Sequence, residues 1–117
     1  MATTTDDKVL RRELLPADDL VAIYDIDTST LYLYARGTYV TPTLTAFIRE
    51  IWLGPLKYGF YGFYTASSDL ADKPKPTEHQ FAEKFPIRPP PDEVIIVTKN
   101  SEPKGKVIKV VRVPEIQ

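Results

Sequence analysis

Residues 31–36 alternate without a break, with Leu31, Leu33 and Ala35 on one side of an extended chain and Tyr32, Tyr34 and Arg36 on the other. Just before them, Leu20-Val21-Ala22-Ile23-Tyr24-Asp25-Ile26 is rich in β-branched and aromatic residues that suit a pleated strand. Between the two runs, Asp27-Thr28-Ser29-Thr30 supplies short oxygen-bearing side chains that bond their own backbone in turns. A hairpin over 20–36 follows. A second is spelled by Glu93–Lys99 and Lys106–Val113, joined by Asn-Ser-Glu-Pro-Lys-Gly with Gly105 placed for the residue of positive φ. Local hairpins force antiparallel pairing, so the sheet is expected to be mostly antiparallel.

The segments between the hairpins read differently. Leu44, Phe47, Ile48, Ile51 and Trp52 fall at i, i+3, i+4, i+7 and i+8, the stripe of an amphipathic helix. Thr41 is placed to cap it, Pro42 to occupy its first turn and Gly54-Pro55 to stop it. The aromatic, Gly-interrupted run Leu56–Thr65 is expected as a strand, with Gly59 and Gly62 three apart and so on opposite faces. Val9, Leu10, Leu14 and Leu15 suggest one amphipathic helical turn ended by Pro16. Residues 66–92 form a Pro-rich excursion, since six of the eleven prolines lie between Pro74 and Pro91. Within it Thr77-x-x-Gln80 has the form of a capping box, and Phe81 and Phe85 at i and i+4 predict two turns of helix. Phe85–Pro91 is expected as an extended spacer or a docking motif. The fold class is therefore α+β: one domain over 1–117, with a sheet of about five strands (two hairpins plus one strand) and the 42–53 helix on one face.

Composition limits function more than it names it. At 117 residues the chain can bury one core. With no cysteine and one histidine it offers neither a thiolate site nor a multi-His metal set, and no cofactor is expected. No apolar run approaches the ~20 residues of a membrane-spanning helix, and the polar, acidic Met1–Lys8 does not resemble a secretory signal, so a cytoplasmic protein is expected. The net charge of −1 divides into −4 over residues 1–72 and +3 over 73–117. Lys104, Lys106, Lys109 and Arg112 carry the basic excess of the last hairpin.

Three short segments invite comparison with known families. Ile26-Asp27-Thr28-Ser29 resembles the catalytic turn of pepsin-like and retroviral proteases, which implies Asp27 as one of two facing carboxylates in a dimer. Ser29 stands where that family uses glycine, and no second apolar-apolar-Gly signature follows. Tyr24-Asp25-Ile26-Asp27-Thr28 resembles the first motif of haloacid-dehalogenase-type phosphatases, whose larger parallel-sheet domain this chain is too short to form. Lys57-Tyr-Gly-Phe-Tyr-Gly-Phe-Tyr64 resembles the strand signature of RNA-recognition motifs, with Tyr58 displacing the glycine that should follow the cation. His79 and Glu83 share a face at i and i+4 but lack a third ligand, so His79 is expected at the surface. No enzyme constellation results, and the protein is not expected to be an enzyme.

Aromatic residues carry the functional expectation. Eleven of the thirteen lie between Tyr24 and Tyr64. Tyrosines give large contact area at low rotamer cost. A binding surface of Tyr32, Tyr34, Arg36, Tyr58 and Tyr61 is therefore expected, engaging another protein, as an inhibitor, immunity protein or adaptor would, or a second copy of the chain. Single-stranded nucleic acid, stacked on tyrosines beside the basic hairpin, is the alternative partner, and a small ligand between helix and sheet a third. No membrane partner is expected.

Overall fold

The computed structural model describes residues 10–65, 75–102 and 104–114. They form eight strands: β1 (Leu10–Leu14), β2 (Asp19–Asp25), β3 (Thr30–Tyr39), β4 (Leu44–Arg49), β5 (Leu56–Thr65), β6 (Thr77–Pro86), β7 (Glu93–Val97) and β8 (Lys106–Val113). No helix occurs among the described residues. The strands join in the order β1-β5-β7-β8-β2-β3-β6, with β4 also on β5. β2 pairs with β8, and β5 with β7, in parallel; the other ladders are antiparallel. The α+β class with an antiparallel five-stranded sheet is thus corrected to a curled, mixed, eight-stranded sheet.

Each expected helix is a strand for a physical reason. Segment 42–53 contains Thr43, Thr45, Ile48 and Ile51, whose branched Cβ atoms lower helix propensity and fit a pleat. Only Phe47 of its stripe is buried, while Leu44, Ile51 and Trp52 are exposed. Its backbone is satisfied instead by β5, in a ladder from Leu44↔Phe63 to Arg49↔Tyr58. In β6 the i, i+4 spacing of Phe81 and Phe85 is even, so it satisfies a two-residue period as well as a helical one. His79, Phe81, Glu83 and Phe85 share the half-buried face, and Thr77 and Gln80 make no capping box. The helical turn expected at 9–15 is β1, paired with the far end of β5; Val9 lies outside the described residues.

The hairpins are present. β2 and β3 pair from Asp19↔Arg36 to Asp25↔Thr30. Their turn is closed by Asp25 Oδ1, which accepts from the Asp27 amide at 2.9 Å, and by Ser29 at φ 55°. β7 and β8 pair through a turn that ends at Gly105, φ 84°, where a Cβ would lie 2.8 Å from the Ile95 side chain.

Curling brings the ends of the sheet together. Leu31, Leu33 and Ala35 of β3, Tyr24 of β2, Tyr58 and Phe60 of β5, and Val94 and Ile96 of β7 fill the interior. Phe60 stacks on Phe47 at 4.9 Å and meets Tyr39 edge-on at 6.0 Å, so rings from β5, β4 and β3 form one cluster. Phe81 of β6 joins it, 5.8 Å from Phe47.

Candidate interaction surface

The alternation of β3 sends Tyr32, Tyr34 and Arg36 to the convex side of the sheet, while Leu31, Leu33 and Ala35 are completely buried. Register then decides what lies beside them. Ile23 stands opposite Tyr32, Val111 beside Ile23 and Lys84 beside Tyr32, giving a row across four strands. In the next row Val21, Tyr34 and Ala82 are neighbours. Tyr32 is 38% exposed and Val111 51%, and Val21 and Ala82 are exposed as well. The result is one aromatic and aliphatic patch that spans β8, β2, β3 and β6.

A charged cluster bounds the patch at one end. Arg36 donates from Nε to Asp19 Oδ2 at 2.7 Å and from Nη1 to Glu78 Oε2 at 2.8 Å. Those hydrogen bonds, Glu78 foremost, hold the guanidinium above its ordinary pKa. Being solvent-exposed, the cluster orients Arg36 more than it stabilises the fold. Beyond the patch on Tyr32's other flank lies a shallow cleft of about 350 Å³, lined by Thr28, Thr30, Lys84, Phe85 and Pro86.

Tyr58 and Tyr61 do not join this surface. Three residues apart on one strand, they point to opposite faces. Tyr58 is completely buried against Phe85, ring centres 4.8 Å apart, and its hydroxyl has no hydrogen-bond partner. Burial, the first cause, pushes its phenol above the ordinary range. Tyr61 faces outward, its ring over Gly59 and 4.5 Å from the Arg12 guanidinium carbon, on a strand separated from β3 by β7, β8 and β2. Sequence reasoning missed Val21, Ile23 and Val111. The first two are legible once 20–26 is given two faces, but the place of Val111 depends on a parallel pairing between residues almost ninety apart.

The other motifs also find their places. Asp25 spends its carboxylate on the β2–β3 turn, and Asp27 lies exposed in it. His79 is half-buried rather than at the surface, stacked on Tyr39 at 4.6 Å, with Nε2 3.1 Å from Thr41 Oγ1 and 2.9 Å from Thr77 Oγ1. Glu83 bonds the β4 backbone. Along β8 the basic residues divide between faces, Lys109 with Val111 and Lys106 with Arg112 on the other. Arg112 is paired with Asp92 at 2.6 Å.

With no helix among the described residues, the expected pocket between a 42–53 helix and the sheet is not found there. A cleft of about 490 Å³ lies instead among strand ends, with Arg11, Tyr39, Thr41, Tyr64 and Lys99 in its walls. There the Tyr64 hydroxyl donates to the Val40 carbonyl at 2.7 Å, and burial raises the phenols of Tyr39 and Tyr64. Among the described residues no group of three His, Cys, Asp or Glu side chains is arranged to hold a metal ion, and no helix is long and apolar enough to cross a membrane. The chain matches no protein-family model, no curated protein and no solved structure.

Proposed function

We propose that this protein is a protein-binding module whose contact surface is the convex face of β8, β2, β3 and β6, centred on Tyr32 and Tyr34. The observation that carries the reading is the row Val111, Ile23, Tyr32 across three neighbouring strands. It places a half-exposed ring among aliphatic side chains on a rigid sheet, with a charged border at Arg36, Asp19 and Glu78. An anchor of this kind, apolar at the centre and polar at the rim, is the usual form of a binding hot spot.

The test compares the native chain with Tyr32→Ala/Tyr34→Ala as bait in extracts of the source cell, with and without nuclease, and by sedimentation of the pure protein. A stoichiometric protein retained by the native chain, insensitive to nuclease and lost with the double variant, supports the reading. The affinity for that protein should fall by ~2 kcal/mol or more. Loss of the captured material on nuclease treatment would transfer the face to nucleic acid. Concentration-dependent dimers abolished by the variant would make the partner a second copy.

A further inference from the structure

The β4–β5 connection differs from the other turns among the described residues. The ladder continues to Glu50, whose amide donates to the Lys57 carbonyl at 2.8 Å, and the chain then turns through Ile51-Trp52-Leu53-Gly54-Pro55. Three large apolar side chains in succession occupy the tip. Ile51 is 104% exposed, Leu53 95% and Trp52 49%. Loop tips ordinarily carry small or polar residues.

The tip is nonetheless organised. Gly54, at φ 134°, lies beneath the indole, where a Cβ would be 3.2 Å from Trp52 Nε1. The indole N–H donates to the Pro55 carbonyl at 2.9 Å, so its only polar group is satisfied within the loop. Lys57 sets its ammonium 4.6 Å from the indole ring centre. Behind the ring is a hollow of about 410 Å³ whose walls include Arg49, Glu50 and Lys57, with Glu50 Oε1 3.8 Å from Lys57 Nζ.

Along the loop the tip therefore carries two bare aliphatic side chains, then one indole backed by the Lys57–Glu50 pair, with Arg49 exposed at its base. The half-bilayer has the matching order: hydrocarbon, the interfacial level that tryptophan prefers, then lipid phosphate, where lysine and arginine settle. A protein hot spot differs, because its anchor is ringed by packed neighbours that exclude water, and Ile51 and Leu53 have none. We infer that the 51–55 tip inserts into the surface of a phospholipid bilayer, with the exposed Arg49 at the phosphates. Such a contact is peripheral and independent of the Tyr32 face.

Trp52 is the only tryptophan of the chain, so its fluorescence reports on the tip alone. The full chain is titrated with vesicles of phosphatidylcholine, and of phosphatidylcholine mixed with phosphatidylglycerol. The expected result is a blue shift of emission on both, at lower lipid on the anionic vesicles, with quenching by bromine-labelled acyl chains and protection from aqueous iodide. Ile51→Ser/Leu53→Ser, whose changes touch only exposed side chains, should keep the native circular dichroism and weaken partitioning roughly a hundredfold, as withdrawing two aliphatic groups from hydrocarbon requires. Tyr32→Ala/Tyr34→Ala should partition like the native chain. Absence of a shift and of bromolipid quenching in the native chain would overturn the inference, and so would unchanged vesicle cosedimentation of the double serine variant.

Discussion

Glu83 Oε1 accepts a hydrogen bond from the backbone amide of Phe47 at 2.9 Å. The bond joins β6 to β4, edge strands that the curl of the sheet brings together, and it satisfies a β4 amide that points away from β5. Glu83→Ala leaves that partly buried donor without an acceptor, which costs ~1–3 kcal/mol. Glu83→Gln keeps a carbonyl oxygen at the same reach and should lose less than about 1 kcal/mol. Urea titrations of the two variants check the order, and equal losses would mean that the charge rather than the hydrogen bond matters.

Phe47 and Ile51 separate the strand from a helix by experiment. On a helix both belong to one buried stripe. In the sheet Phe47 packs on Phe60 and Phe81, while Ile51 stands in solvent. Phe47→Ala should therefore cost ~3–5 kcal/mol, and Ile51→Ala should stay within about 0.5 kcal/mol of the native chain. Denaturant midpoints measure both, and comparable losses would restore the helix.

That pair also shows how far the sequence was legible. Both hairpins could be read because each is local: alternation gives the faces of β3, and Gly105 marks the turn between β7 and β8. The faces of β4 and β6 could not be settled by apolar spacing, because separations of four fit a helix and a strand alike. For β4 the branched residues Thr45 and Ile48, with Thr43 just before it, are the signal that favours a strand. The parallel pairings of β2 with β8 and β5 with β7 leave no local trace, so the width of the patch around Tyr32 was hidden even though its two tyrosines were visible. Tyr58 and Tyr61 cannot share one surface, because their odd separation on β5 places them on opposite faces.

Tyr58 bears on alkaline stability. Its hydroxyl is buried and unpartnered, and burial raises the phenols of Tyr58, Tyr39 and Tyr64. A phenol whose folded pKa is raised contributes stability that is fully present below the unfolded pKa of ~10 and is lost as pH climbs through the folded value. The native chain should therefore lose stability above about pH 10. Tyr58→Phe should be neutral or stabilise by up to ~1 kcal/mol at pH 7, since no hydrogen bond is broken, and its stability should fall less steeply in alkali. Denaturation from pH 7 to 11 (a span set by the ordinary phenol pKa of ~10) tests this, and identical alkaline slopes would refute it.

Gly37 is required by its neighbour across the β1–β2 connection. A Cβ there would lie 2.4 Å from the Pro16 carbonyl oxygen, a backbone atom. The adjoining amide of Asp18 is bonded to the Arg36 carbonyl at 2.7 Å, so the connection has little freedom to retreat. Gly37→Ala should cost ~1–3 kcal/mol through overpacking. Gly54→Ala, where the crowded atom is a side-chain nitrogen but φ is 134°, tests strain at a site outside the core. Thermal melts of the two should show the larger loss at Gly37.

Val111 tests the patch itself and not merely its tyrosines. It lies beside Ile23 on the convex face and is 51% exposed, so lysine there keeps its ammonium in water and should change stability by less than about 0.5 kcal/mol. If a partner covers the row Val111, Ile23, Tyr32, that ammonium is trapped in the centre of the contact, where an unpaired charge costs several kcal/mol. Val111→Lys should then weaken association at least as much as loss of the two tyrosines. Val107→Lys is the matched control: it occupies the same face of β8 and is just as exposed, but its rung pairs with Ile95, away from β2. Calorimetry against the captured partner should show heat lost for Val111→Lys and kept for Val107→Lys. Native affinity kept by both variants would confine the contact to β3 and β6, and loss in both would extend it over the whole face of β8.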